Sequence, residues 1–232
     1  AIKGRALEDR TRTGAKYAEG LVVRNKKTRA AEDAAGVQVV PVINAGDGKG
    51  EHPTQTLLDL HTIQRNKRRL SDLTVVIGGD LANGRTARSL AIGLSAYKNN
   101  NLHLVSTPDF RMGDDVKEHL AAVGTPFVET DDMYGALADA DVVYWTRLQR
   151  ERLGAANKSP EDPDGHFTPS AFSIGQAALQ AMPKDAIIMH PLPRVDEIEV
   201  SVDNDPRAVY FDQVENGLYD RMAILDDILS DV

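Results

Sequence analysis

From Thr54 to Ile77 the chain contains neither glycine nor proline, and beyond that point short apolar runs alternate with helix-length segments. The runs are Thr74-Val75-Val76-Ile77, ending in Gly78-Gly79, then Leu102-His103-Leu104-Val105, Pro126-Phe127-Val128, Val142-Val143-Tyr144-Trp145 and Ala186-Ile187-Ile188-Met189. Each is short and apolar on consecutive residues, as expected of a strand covered on both faces. A helix is expected from Pro53 to about Arg69, with further helices over 84–98, 112–123, 131–139 and 169–181. Thr168-Pro169 supplies an N-cap and a first-turn proline for the last of these. Strands alternating with helices give βαβ units and a parallel sheet. In such sheets ligands gather at the loops that follow the strand carboxyl ends.

The two ends of the chain read differently. Leu218, Met222, Leu225 and Leu229 recur at helical spacing, predicting a C-terminal helix with that face toward the core. Near the start, residues 5–18 read as a helix, 20–24 and 37–43 as strands, and 28–35 as a short helix closed by Gly36. About 50 residues with two strands bury too little surface for a stable domain. They are expected to join a sheet whose other strands precede Ala1. Residues 155–165 read as a loop.

Composition removes some classes of function. The net charge of −8 argues against a general binder of nucleic acid or anionic membrane, though not against a local basic pocket. The absence of cysteine excludes disulfides and thiolate metal sites. No apolar run approaches the roughly 18 residues of a membrane span. A soluble, cytoplasmic protein is the default expectation.

Four constellations carry candidate chemistry. His52-Pro53-Thr54-Gln55 places an imidazole and an amide at a helix N-terminus, where free N–H groups favour an anion or a polarised oxygen. On spacing alone, a simple capping turn is the commoner use of such a segment. Gly78-Gly79-Asp80 through Gly84-Arg85-Thr86 is a strand–turn–helix in which Arg85 is placed for a carboxylate or, equally, for solvent. It is not the G-x-G-x-x-G fingerprint, and no acidic residue lies at the required distance of roughly 20 residues, so a nicotinamide site is disfavoured. Thr146-Arg147-Leu148-Gln149 ends a strand with Arg147 and Gln149 on one side, a carboxylate clamp or half of a surface ion pair. His190-Pro191-Leu192-Pro193-Arg194 is a stiff loop after the last strand, with Pro193 a possible cis site. The histidines lack metal-ligand spacing, and no nucleophile–base pair is evident. No cofactor is called for. Transfer chemistry by positioning and oxyanion stabilisation fits this set better than covalent or metal catalysis.

Taken in order, the motifs resemble the aspartate carbamoyltransferase family over essentially the whole chain. Pro41-Val42-Ile43-Asn44-Ala45-Gly46-Asp47-Gly48 with His52-Pro53-Thr54-Gln55-Thr56-Leu57-Leu58-Asp59 matches its central motif. Asp80 with Gly84-Arg85-Thr86, Thr146 to Arg152, His190 to Ile198, and Asn216-Gly217-Leu218 complete the series. Ornithine carbamoyltransferases are similar, but typically have Cys where this chain has Thr54 and a His-Cys-Leu-Pro loop where it has Pro191.

The resemblance implies an α/β protein of two Rossmann-like domains with parallel sheets, the first incomplete in this chain. Residues 1–52 would be the second half of a carbamoyl-phosphate-binding domain, 53–69 a bridging helix, 70–212 an aspartate-binding domain and 213–232 a helix packing back on the first. The implied reaction joins carbamoyl phosphate and L-aspartate to give N-carbamoyl-L-aspartate and phosphate, a step of pyrimidine biosynthesis. Lys3, Arg24 and His52 would be catalytic, with Lys3 donated by a neighbouring subunit of a homotrimer. Gln55 would join them on carbamoyl phosphate, Arg85, Arg147 and Gln149 would hold aspartate, and Leu192 and Pro193 would offer backbone contacts. A regulatory subunit or multienzyme partner is compatible with the family. The family's Ser-Thr-Arg-Thr phosphate motif does not occur here, and Arg10-Thr11-Arg12-Thr13 lies on the wrong side of Lys3 to replace it. The alternatives are a shortened homologue that binds or scaffolds without turnover and, more remotely, a nucleotide-binding enzyme.

Overall fold

The computed structural model describes residues 2–48, 50–148 and 172–230, with side chains from Leu7 onward. Gln149, the predicted 155–165 loop and the Thr168-Pro169 cap lie outside the described residues, as does the Lys3 side chain.

Two parallel sheets organise the chain. The first pairs β1 (Leu21–Asn25) with β2 (Val42–Asp47), flanked by α1 (Ile2–Gly14) and α2 (Ala30–Ala35). The helix α3 (Pro53–Lys67) then leads to the second sheet. This contains β3 (Thr74–Gly78), β4 (Asn101–Val105), β5 (Phe127–Thr130), β6 (Val142–Trp145) and β7 (Ile187–Met189) in the order β5-β4-β3-β6-β7, all parallel. The chain steps outward from β3 through β4 to β5, then returns to the other side of β3. That reversal opens a crevice beyond the carboxyl ends of β3 and β6, where doubly wound sheets bind ligands.

Side chains of the second sheet alternate between two buried layers. Val76, Val143, Trp145 and Ile188 face α6 (Met133–Leu137) and α7 (Gln176–Ala181). Val75, Ile77, Leu102, Leu104 and Tyr144 face α4 (Arg85–Ser95), α5 (Asp114–Ala122) and Ile63 of α3. Burial on both faces explains why the central strands β3 and β6 are apolar on nearly every residue. At the end of β3, glycine is required twice. A Cβ on Gly78 would lie 2.0 Å from the Trp145 ring, and one on Gly79, at φ 106°, would lie 2.0 Å from the Thr146 carbonyl oxygen.

Three expectations need correction. The strand expected over 37–43 begins only at Val42 and runs on to Asp47. Pro41 has no N–H for a ladder, and Gln38 turns at φ 55°. Residues 172–175 are not α-helical, so α7 starts at Gln176 rather than 169. The third concerns α8 (Tyr210–Leu229): Leu218, Met222 and Leu225 are exposed, at 58%, 57% and 42%.

The buried side of α8 is Tyr210, Gln213, Asn216 and Gly217, and it lies against α3 along a polar seam. Asn216 Nδ2 donates to Thr62 Oγ1 at 2.9 Å, and Arg65 Nη1 donates to Asn216 Oδ1 at 2.7 Å. Gln213 Nε2 donates to Asp59 Oδ1 at 2.6 Å, and His61 pairs with Asp220 at 3.0 Å. Gly217 brings the helices close, since a Cβ there would lie 2.9 Å from Leu58 Cδ2. Matched hydrogen bonds therefore take the place of the apolar stripe.

Gly79→Ala is expected to destabilise the fold by about 3 kcal/mol, from left-handed strain together with collision against the Thr146 carbonyl. A fall in the urea midpoint at constant m-value measures it, and a change below about 0.5 kcal/mol contradicts this packing.

Candidate active site

His52 stands at the N-cap of α3, with φ −132°, and Pro53 follows in the first turn. Its backbone N–H donates to Ser89 Oγ at 3.0 Å, and that hydroxyl in turn donates to the Glu51 carboxylate. Ser89 belongs to α4, so the two helices share this start point. The ring Nδ1 lies 3.5 Å from Thr54 Oγ1.

Burial lowers the His52 pKa to about 4, reinforced by the positive charges of Arg85, Arg221 and Arg24. The imidazole is therefore neutral at physiological pH and can donate one N–H without carrying charge. The surrounding guanidiniums provide the charge instead, at a helix N-terminus that already favours an anion.

The arginines reach this point from separate elements. Arg24 lies on β1 and Arg85 opens α4. Arg85 crosses to the first sheet, where its guanidinium packs over Gly46. A Cβ on Gly46 would lie 2.7 Å from Arg85 Cζ, and Arg85 Nη1 is 3.5 Å from the Gly48 carbonyl. Glycine at 46 is thus the seat of this side chain. Arg147 is half-buried and directly follows Thr146, whose N–H and hydroxyl both donate to the Gly78 carbonyl, at 2.8 and 3.0 Å. Arg147 is thereby held at the crevice between β3 and β6.

The fourth side is the loop after β7. The Leu192 N–H donates to His190 Nδ1 at 2.8 Å, so the ring's proton must sit on Nε2, which faces Glu197 Oε1 at 2.8 Å. Glu197 Oε2 also accepts the N–H groups of Val195 and Asp196, at 3.0 and 3.1 Å. Burial pushes Glu197 upward, but its bonds to His190 and these backbone groups prevail and hold it below the usual carboxylate range. Leu192 sits at φ 44°, and the Leu192–Pro193 peptide bond is cis. A cavity of about 330 Å³ lies between this loop and α3, lined by Gln55, Leu58, His190, Leu192, Pro193 and Arg221 among others.

Two family models divide the chain between them. The aspartate/ornithine carbamoyltransferase Asp/Orn binding domain matches residues 71–228, and the carbamoyl-P binding domain of the same family matches residues 1–65. The chain belongs to the aspartate/ornithine carbamoyltransferase family.

Its relatives include the chloroplastic aspartate carbamoyltransferase 1 of Pisum sativum, 46% identical over 229 residues. That match covers 99% of this chain and 58% of the pea protein, so the chain spans little more than half of that relative's length. The aspartate carbamoyltransferase catalytic subunit of Halorubrum lacusprofundi is 44% identical, with 98% of this chain and 70% of the relative covered. Among solved structures, aspartate transcarbamoylase from Trypanosoma cruzi in complex with carbamoyl phosphate and aspartate superposes with a TM-score of 0.86 at 37% identity. It covers 98% of this chain and 72% of that one.

Of the residues singled out in this carbamoyltransferase-family chain, the fold gathers Arg24, His52, Gln55 and Arg85 near the start of α3. Leu192 and Pro193 border the same cavity, and Arg147 sits at the sheet crevice. Lys3 lies on α1, with only its backbone described. Arg221 was not anticipated. It reaches the cavity from α8, one turn beyond Gly217, whose carbonyl accepts its Nη1 at 3.0 Å. The Asn216-Gly217 pair was its available signal, because the close helix approach there turns the next residue on that face toward α3.

His52 is expected to titrate near pH 4 in the folded protein. Its folded pKa lies below the ordinary 6.5, so the unfolded chain binds the proton first. This group's contribution to stability is accordingly full above about 6.5 and is lost as pH falls toward 4. Nitrogen chemical shifts of the His52 ring against pH would show this, and a midpoint at or above 6.5 contradicts the arrangement.

Proposed function

We propose that this chain provides the aspartate carbamoyltransferase reaction, in which the amine of L-aspartate attacks the carbonyl carbon of carbamoyl phosphate. The carrying observation is the neutral His52 at the α3 N-terminus, with Arg24, Arg85 and Arg221 around it and Gln55 beside it. Such a site accepts an anion while offering an uncharged N–H to a carbonyl oxygen.

In this reading Arg24 and His52 draw electron density toward the carbamoyl oxygen, where negative charge builds as the amine attacks. The Gln55 amide fixes the carbamoyl NH2. A C–N bond forms, the C–O bond to phosphate breaks, and phosphate departs with the bonding pair and takes up the proton that the amine gives up. No side chain forms a covalent bond. The acceleration comes from holding two anionic reactants together and from donors already aimed at the developing oxyanion. Arg85 and Arg147 take the aspartate carboxylates, and Gln149 assists Arg147. Leu192 and Pro193 orient the amine through their carbonyls.

The reading extends to a homotrimer in which Lys3 completes a neighbour's site, and to a place in pyrimidine synthesis. Relatives such as that of Halorubrum lacusprofundi are named as catalytic subunits, which supports assembly with further chains. Among the described residues no helix is long and apolar enough to cross a membrane, and cytoplasmic residence is proposed. The pea relatives are chloroplastic, so an organellar address is the rival outcome of a localisation experiment.

Steady-state assay of N-carbamoyl-L-aspartate formation by the full-length gene product tests the reaction; absence of product at saturating substrates rejects it. Arg147→Ala is expected to raise the KM for aspartate by about 10- to 100-fold, the worth of one charge-assisted hydrogen-bonding group. The carbamoyl phosphate KM should move far less. An unchanged aspartate dependence removes Arg147 from the site.

A further inference from the structure

Gln55 on α3 and the Leu192–Pro193 turn after β7 belong to different elements, yet one buried oxygen joins them. Asp59 Oδ1 accepts from Gln55 Nε2 at 2.9 Å and from Gln213 Nε2 at 2.6 Å. Gln213 Oε1 in turn accepts the backbone N–H of His190 at 2.9 Å. Asp59 is fully buried and Gln213 is 1% exposed.

An oxygen that accepts two bonds dictates how both amides are turned. Each must present its NH2 to Asp59 and its oxygen the other way. For Gln213 the oxygen meets His190. For Gln55 it is the polar atom left to the cavity that this residue lines. A reversed Gln55 would place its carbonyl oxygen against Asp59 Oδ1, acceptor against acceptor, at a fully buried side chain.

We propose that Asp59 is the positioning residue of this site. It fixes the Gln55 carboxamide with its oxygen toward the carbamoyl NH2 and, through Gln213, holds the turn that carries Leu192 and Pro193. The proposal rests on the carbamoyl-transfer reading above. Nothing requires Asp59 to touch substrate.

Both amides bond Oδ1, and the buried Tyr144 hydroxyl also acts on the Asp59 carboxylate. Burial raises the Asp59 pKa to about 7, opposed by the hydrogen bonds from Gln55, Gln213 and Tyr144 and by the Arg221 charge. A proton on Oδ2 leaves Oδ1 an acceptor, so the tie survives in either protonation state.

In the full-length gene product, Asp59→Asn keeps an acceptor oxygen and Asp59→Leu removes it. The Asn variant is expected within about threefold of wild-type kcat/KM for carbamoyl phosphate, and the Leu variant about 30-fold below it while still unfolding cooperatively. Adding Asp59→Leu to Gln55→Ala should cost clearly less than Asp59→Leu costs in the wild-type protein, because the amide to be oriented is already gone and only the hold on the Leu192–Pro193 turn is left to lose. A folded Leu variant with unchanged kcat/KM, or full additivity in the double variant, overturns the proposal.

Amide hydrogen exchange at His190 in the unliganded protein reads the same tie without turnover. It should accelerate about tenfold or more in Asp59→Leu and stay unchanged in Asp59→Asn, and no change in either removes the link. If Asp59→Leu does not fold, Gln213→Met cuts the link from the other helix, and unaltered exchange and kinetics there contradict it equally. If the wild-type protein forms no product, the functional reading fails while the exchange data still decide the tie.

Discussion

The hydrogen bond from Gln213 to Asp59 joins residues 154 positions apart and sits in the middle of the α3–α8 seam. Much else follows from that contact. It sets α8 against α3, brings Arg221 to the cavity and holds the loop that follows β7. Buried polar groups are costly unless matched, and here an acid, two glutamines, an asparagine and a threonine match one another. Such a seam specifies one register between the helices. A one-residue slip leaves several buried donors and acceptors unpaired, at about 1–3 kcal/mol each.

Charge is divided on a similar principle. The chain carries −8 overall, yet three arginines influence one imbalance-free imidazole at the start of α3. Surface acidity and a local basic pocket coexist because the helix N-terminus and the guanidiniums act at short range, within a Debye length of about 8 Å in physiological salt. Burial keeps His52 uncharged, reinforced by the same arginines that would favour an anionic ligand. In the proposed reaction, one arrangement would therefore attract anionic reactants and leave a neutral donor where a carbonyl oxygen is to be polarised.

The second sheet was legible because its central strands are buried on both faces. Runs such as Val142-Val143-Tyr144-Trp145 announce themselves with no need for periodicity, and Gly78-Gly79 marks the close approach of β6. The motif residues were legible as candidates, since polar groups after strand ends fall at a crevice by topology. Asp59 and Arg221 were hidden, because a buried acid within a helix reads as a surface charge until its partners are known. The face of α8 misled for the matching reason. Leu218, Met222 and Leu225 have the spacing of a core stripe, while the residues that pack, Gln213 and Asn216, look like solvent-facing ones. Period-based reasoning presumes that the contact is apolar; this one is made of hydrogen bonds.

In the proposed reaction, elements from both sheets build one site, with the α3 N-terminus, the β3–β6 crevice and the loop after β7 meeting a single ligand. Titration of the full-length protein with N-(phosphonacetyl)-L-aspartate, followed residue by residue by NMR, tests it most directly. Signals of His52, Gln55, Arg85, Arg147 and Leu192 are expected to move together along one saturation curve. Perturbation confined to one of these regions, or separate curves for the arginines and for His52, would contradict it.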